Sequence, residues 1–404
     1  MRTCLNPVVE RARVDHGLQV EDIVALLSSW PTGSSTLAPG GGRRVVLPDG
    51  AWVEAGFSMK GNLKTEFSDP RMPGQFADYV RRAHEVCEER VHHLVLMCDG
   101  AVSGSYLGEG FRLGPADGPQ VDERFQADVP GLPRQLLPTP LRVQLRISTP
   151  PASHAPFYRS VIVERALRRL SGFLAVHLNP FVRPPAVGVT WATGVTASGV
   201  PNRLVSQGYV YGDGETETWV ECPPRLLEEI APVRDGDYFE ALRTELAVPS
   251  DLGERWERLS LLAADDRLRF ERASSWVLRA LDSRAQDDPT AVVISAVVAI
   301  ECVLDKTGER CEQCGQQAHS VAREFNAFVD RYVGTEEPQL SALFKNVYAR
   351  RSWLIHGSGL HSVDESLFTT LGADAFIDQL SALILARRGL RNWLADQRPG
   401  VDAR

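Results

Sequence analysis

Near residue 350 the chain reads Tyr348-Ala349-Arg350-Arg351-Ser352-Trp353-Leu354-Ile355-His356-Gly357. An arginine and a histidine brought together could act on a phosphate ester, one group moving a proton and the other stabilising charge on the phosphorus. Histidine suits the first task because its ordinary pKa lies near neutrality. Arginine suits the second, because its planar fork of donors matches phosphate oxygens. The bare spacing is common, and composition alone yields roughly three such pairs. The chain holds three, Arg11/His16, Arg350/His356 and Arg351/His356. Context separates them: only the last two end an amphipathic helical pattern, which runs from Pro338 through Leu343, Phe344 and Val347 and stops at Gly357.

Arg351 and His356 are five residues apart, about 500° of helical rotation, so they leave a straight helix about 140° apart. They serve one phosphate if the helix breaks at His356, which Gly357 permits, or if two copies of the chain each supply a group. The composite site is the simpler reading. Ser352, one turn before His356, is placed to orient its imidazole. Upstream, an almost wholly apolar helical run over 290–304 carries a lone acid in Ile300-Glu301-Cys302-Val303-Leu304. A charge on such a helix needs a partner, and Arg351 is the candidate. Glu301 therefore reads as a structural partner ahead of a catalytic group.

The stretch Ile300-Glu301-Cys302-Val303-Leu304, close to an Ile-Glu-x-Leu-Leu pattern, followed by Arg351-Ser352 and then His356-Gly357, resembles the HEPN family, most closely its Apea-like branch, over about residues 265–390. The resemblance implies a homodimeric, metal-independent endoribonuclease, of a kind often used as a toxin or in antiviral defence. It assigns catalysis to Arg351 and His356, with Arg350, Ser352 and Glu301 in support, and requires no cofactor for cleavage of its RNA substrate. Many catalytic members carry Asn, Asp or His where this chain has Ser352.

Cys311-Glu312-Gln313-Cys314, followed by His319, has the spacing of half a zinc site. Cys302 is a further candidate ligand, but Glu324 stands where a zinc knuckle would place cysteine. Structural zinc clamping this turn is one reading; reduced loop thiols are the favoured one. A third cluster, His84, Cys87, His92, His93 and Cys98, spans a helix end and a strand, which aim side chains differently, so no shared metal is expected there. The chain has no Walker A, HExxH or GxSxG motif. It also lacks the paired aspartates that a nucleotidyltransferase would need after Ser34-Ser35.

These residues need a scaffold, and 404 residues are enough for two or three domains. With 43% hydrophobic and 24% charged residues, the composition is that of a globular protein. The longest apolar run, 291–300, is too short to span a bilayer. The first residues lack the apolar core of a secretion signal, and the seven cysteines are scattered. Reduced thiols and a cytoplasmic location are therefore expected, with no membrane partner. A net charge of −8 argues against a broad nucleic-acid footprint.

The expected fold is an α+β N-terminal region, 1–250, followed by an all-α antiparallel helical bundle of the HEPN type, 251–404. In the first region, strands are expected at 43–47, 52–57, 94–98, 141–147, 187–191 and 209–211, and helices at 75–90 and 157–178. Proline density over 113–156 marks a long loop or a split into two subdomains, and 34–42 reads as a loose glycine-rich segment. Helices follow at 252–264, 267–283, 290–304, 319–332, 338–354 and 366–392, and their short connections imply antiparallel neighbours. No motif in 1–250 assigns a function, so that region is expected to sense or recognise an unidentified trigger or ligand. Two readings stay open: an RNA-cutting effector, or a catalytically silent dimerisation and binding module whose recognition lies in 1–250.

Overall fold

The computed structural model describes residues 7–116, 139–304, 321–334, 338–356 and 373–397, apart from 16–17, 31–33, 38–42, 47–49, 58–62, 86, 152, 154, 185–189, 196–200, 207–208, 212–214, 217, 220, 223, 231–243 and 287. The fold is mixed α/β. Two compact units are each assembled from separated stretches: Met1–His92, Arg146–Leu167 and Thr216–Thr218 form one, and His93–Leu145, Arg168–Glu215 and Trp219–Arg404 form the other. Residues on both sides of 250/251 lie in the second unit, and from Leu252 onward its described elements are helical.

The first unit contains α1 (Pro7–Asp15), α2 (Val20–Ser29), an antiparallel meander of β1 (Ser34–Leu37), β2 (Arg43–Val46), β3 (Trp52–Phe57) and β4 (Leu63–Phe67), and α3 (Met72–Glu85). Residues Ser34–Leu37, expected to be loose, instead pair with β2 as an edge strand. Period-two alternation is clear: Val45, Val53 and Ala55 are buried. Arg44 and Glu54 face each other across the strands and pair at 2.7 Å. Ile23, Leu26 and Leu27 of α2 join Phe76, Tyr79 and Val80 of α3 in the core. The unit also takes the first half of α4 (Pro156–His177), whose leading N–H groups at Phe157 and Tyr158 donate to the Ser29 hydroxyl. Farther along α4, Arg165 pairs with the buried Asp22 at 2.8 Å.

The helix expected over 75–90 ends at Glu85, and β5 (Glu88–Cys98) begins three residues later. Every residue from Val91 to Cys98 is buried, as suits a strand covered on both faces. In the second unit, β5 lies within a sheet ordered β10-β11-β12-β5-β8-β7-β6. Its other members are β6 (Tyr106–Leu107), β7 (Phe111–Pro115), β8 (Thr139–Thr149), β10 (Thr190–Val195), β11 (Pro201–Ser206) and β12 (Tyr209–Tyr211), with β9 (Val182–Arg183) paired to the end of β5. Pro115 and Pro140, inside the stretch read as a loop, belong to the paired strands β7 and β8. Burial pushes the Cys98 thiol up to about 12.

From Leu252 onward the described elements are helices: α5 (Leu252–Leu261), α6 (Ala264–Ala285), α7 (Pro289–Glu301), α8 (Val321–Phe328, extended by a π turn to Val333), α9 (Pro338–Ile355) and α10 (Ala373–Asp396). None of the described helices is long and apolar enough to cross a membrane. Helix α7 starts at Pro289 and is capped by Asp288, whose carboxylate accepts from the Ala291 N–H at 2.8 Å. Its buried Val292, Val293, Ala296, Val297 and Ile300 pack among α6, α8, α9 and α10.

The second half of α4 joins these helices. Phe173 meets Phe111 of β7 and Trp256 of α5 edge-on. At Gly172, a Cβ would lie 2.5 Å from the Ser274 hydroxyl, so only glycine allows the close approach to α6. The C-terminal carbonyls of α4 are met from α10: Arg391 donates to Val176 at 2.6 Å, and Arg387 donates to Ala175 at 2.9 Å and to Leu178. His177, wholly buried beside them, stacks on Phe173. Its Nδ1 lies 2.9 Å from the Phe173 carbonyl, so that nitrogen carries the proton and donates. Burial, and then the nearby Arg255, Arg391 and Arg387 charges, hold this imidazole well below the ordinary 6.5.

Arg391→Ala strands buried carbonyls and is expected to cost about 2–3 kcal/mol, read from chemical denaturation; a loss under about 0.5 kcal/mol would show the cap to be dispensable. His177 gives a pH signature. Above 6.5 neither folded nor unfolded chain protonates it. Below that value the unfolded chain takes up a proton that the folded chain refuses, so stability falls as pH falls. His177→Phe keeps a ring against Phe173 and removes this titration. Thermal unfolding should then show a smaller loss between about pH 7 and pH 5.5 than the parent shows. An unchanged loss rules out His177 as its source.

Candidate functional site

Arg350, Arg351 and His356 all lie at the end of α9. Helical hydrogen bonding continues one residue past Ile355, because the His356 N–H donates to the Ser352 carbonyl at 3.0 Å. The helix does not break before His356, so Arg351 and His356 keep the angular separation of a regular helix, about 140°. Arg351 turns inward and His356 is exposed. Within one chain, the structure brings Arg351 to Glu301 and not to His356. Ser352 and His356 are joined through the backbone by that 3.0 Å bond.

Glu301 is the last residue of α7, where its charge lies unfavourably at the negative end of the helix. Arg351 answers it: one terminal nitrogen lies 3.4 Å from both carboxylate oxygens, and the two side chains are 22% and 20% exposed. The Nε of Arg351 is buried without a hydrogen-bond partner, and its guanidinium lies 5.9 Å from the Tyr348 ring. Just beyond Glu301, Arg269 of α6 donates to the carbonyls of Val303 and Leu304 at 2.8 and 2.7 Å. That end of α7 is thus held by two arginines.

Arg350 has a different setting. Its Nε donates to Asp378 of α10 at 2.6 Å, and its guanidinium sits 4.3 Å from the centre of the Trp353 ring. These groups line an open groove of about 500 Å³ between α9 and α10, together with Leu343, Asn346, Val347 and Ala349 of α9. His356 follows Trp353 by three residues, about 60° around the axis, and so lies beyond the rim of this groove. Ile355, Phe376 and Ile377 are exposed apolar side chains on the same two helices.

Cys311, Cys314 and His319, the half zinc site, lie outside the described residues. Cys302, the further candidate ligand, is half-buried directly after α7. Among the described residues, no group of three His, Cys, Asp or Glu side chains is placed to hold a metal. His92 and His93 are consecutive on β5 and both buried, whereas Cys87 is exposed. Arg11 lies on α1, in the unit that does not contain α9, and His16 lies outside the described residues.

Sequence spacing pointed to Arg350 but not to its partners. Trp353 carries a weak signal at three residues' distance; Asp378 lies 28 residues on and has none. No protein-family model matches the chain, and no curated protein or solved structure matches it.

The Glu301–Arg351 pair is expected to stabilise the helix contact. Glu301→Ala leaves a mostly buried guanidinium without its anion, at a cost of about 1–2 kcal/mol. A double-mutant cycle with Arg351→Met should give a coupling of about 0.5–1 kcal/mol. Strict additivity of the two substitutions would remove the pair from the account.

Proposed function

We propose that this chain is a metal-independent endoribonuclease of the HEPN type, with an all-α bundle formed by the helices after Leu252 and a site shared between two copies. The observation that carries the proposal is an exposed His356 at the end of the helix that also carries Arg350 and Arg351, with Arg351 paired to the lone acid of α7. The imidazole moves the proton between the 2′-hydroxyl and the leaving 5′-oxygen. Guanidinium charge stabilises the phosphorane. Arg351 takes that role with Glu301 fixing its position, and Arg350 adds charge from the groove side. Because Arg351 and His356 diverge on one helix, a common phosphate needs two copies across a twofold axis. The exposed Ile355, Phe376 and Ile377 supply apolar surface suited to that association. The role in defence or as a toxin follows from the family resemblance, with the elements before residue 250 taking the trigger.

A second reading has one observation in its favour. Arg351 is committed to Glu301 and its Nε is buried, as in a bundle that serves only to dimerise while the region before 250 does the recognition.

Incubation of purified protein with total cellular RNA, with and without EDTA, tests the first reading. Cleavage is expected in both, and His356→Ala is expected to lower it by about 10²- to 10⁴-fold. Because His356 is exposed, its removal should change stability by no more than about 0.5 kcal/mol. Cleavage that survives the substitution, or that EDTA abolishes, overturns the proposal. A strict monomer in solution overturns the shared site.

A further inference from the structure

We propose that Cys222 is a site of oxidation: its thiol takes one oxygen from hydrogen peroxide, and the Ser105 hydroxyl and the Gln144 amide hold the sulfur–oxygen group that results. The proposal is independent of the ribonuclease reading and concerns the sheet, not α9. The residues involved all lie in the second unit. Strands β7 and β8 are antiparallel, with Arg112 opposite Gln144 and Gly114 opposite Arg142. Partners in register, and residues two apart on one strand, share a face of the sheet. Arg112, Gly114 and Gln144 are therefore on one side, while Phe111 and Leu113 are buried on the other. Cys222 covers the polar side. Its sulfur accepts from the Gln144 side-chain amide at 3.3 Å, and the residue is half-buried, so a molecule as small as peroxide can reach it.

Gly114 leaves a gap on this face. A Cβ there would lie 3.2 Å from the Ser105 hydroxyl oxygen and 3.5 Å from the Cys222 sulfur, so both groups border the same small space. Ser105 is 1% exposed, and among the described residues its hydroxyl has no hydrogen-bond partner. A buried hydroxyl in that state is costly, and an oxygen carried on the neighbouring sulfur would satisfy it. The backbone holds the two residues near each other: the Ser105 N–H donates to the Arg225 carbonyl at 2.8 Å, and its carbonyl accepts from the Leu227 N–H at 3.0 Å. On the other side of Cys222, the Trp219 ring lies 4.6 Å from the Arg112 guanidinium. Arg112 brings positive charge to this face, and its buried Nε also lacks a hydrogen-bond partner among the described residues. The sulfur attacks one peroxide oxygen, forming an S–O bond as the O–O bond breaks. The departing hydroxide takes up the thiol proton and leaves as water. Cysteine becomes a sulfenic acid, oxidised by two electrons as the peroxide is reduced. Ser105 then donates to the new oxygen, and Gln144 keeps the sulfur in place.

The test uses the reduced full chain, hydrogen peroxide and dimedone, which tags sulfenic acids, with each tagged cysteine identified by peptide mass mapping. By access alone the exposed Cys87 would react first. Cys222 is instead expected to be tagged at least about 10-fold faster than Cys87. Ser105→Ala is expected to slow tagging of Cys222 roughly 10-fold without lowering the thermal unfolding midpoint, because the hydroxyl it removes has no described partner to lose. Gly114→Ala puts a methyl group into the gap and should slow tagging by a similar factor. Tagging of Cys222 no faster than that of Cys87 overturns the inference. So does a Ser105→Ala chain tagged at the parent's rate, or one that is slower only because its stability has fallen. If the alanine variant at Ser105 does not fold, Gly114→Ala decides on the same rate criterion.

Discussion

The C-terminal end of α4 is buried, and burial obliges its unpaired carbonyls to find donors other than water. Arg387 and Arg391 of α10 meet that demand at Ala175, Val176 and Leu178. They also place positive charge at the negative end of the helix dipole. The same device recurs within this unit. Arg269 serves the carbonyls after α7, and Arg258 donates to Ala395 at the end of α10. Guanidinium suits these positions better than ammonium would, since its fork of fixed donors can satisfy two carbonyls at once. These four arginines are structural, so arginine abundance by itself is no guide to nucleic-acid binding.

The candidate site follows from this arrangement. Helix α7 ends on an acid, which alone would oppose the helix dipole, and Arg351 is drawn inward to meet it. Arg350, one residue earlier, is rotated about 100° away and reaches Asp378 and Trp353 instead. Two adjacent arginines thus have separate duties, one fixing α9 to α7 and one facing the groove. His356 stays exposed because it falls on neither of those faces. The same regularity of α9 that separates Arg351 from His356 gives a second copy of the chain its place in the proposed chemistry.

Sequence periodicity located the long helices well. Its 338–354 pattern matches α9, and its 157–178 pattern matches α4, each to within one residue at each end. It failed at the junction of α3 and β5, where Glu88, Glu89 and Arg90 continue a polar pattern although the backbone has already turned to strand. Charged residues at a strand's exposed start carry no period. Nor could local pattern show that 168–215 and 219–404 share one compact unit. That union rests on the Arg391–Val176 and Phe173–Trp256 contacts, which join residues far apart in the chain. At the site, the Glu301–Arg351 pairing was legible as a lone charge on an apolar helix needing its opposite. The groove was not, because Asp378 comes from another helix.

The caps on α4 also bear on how the chain is made. Ala175 and the guanidinium that answers it are separated by 212 residues, and Val176 and its donor by 215. During synthesis, the segment ending in His177 leaves the ribosome long before either arginine exists. Its carbonyls must stay hydrated or be met by temporary donors in the meantime. Such distant closure slows folding, and it ties completion of the sheet-bearing unit to the arrival of α10. A nascent chain lacking α10 therefore has neither the finished core nor the Asp378 side of the groove, so the candidate site is assembled late, together with the unit that carries it.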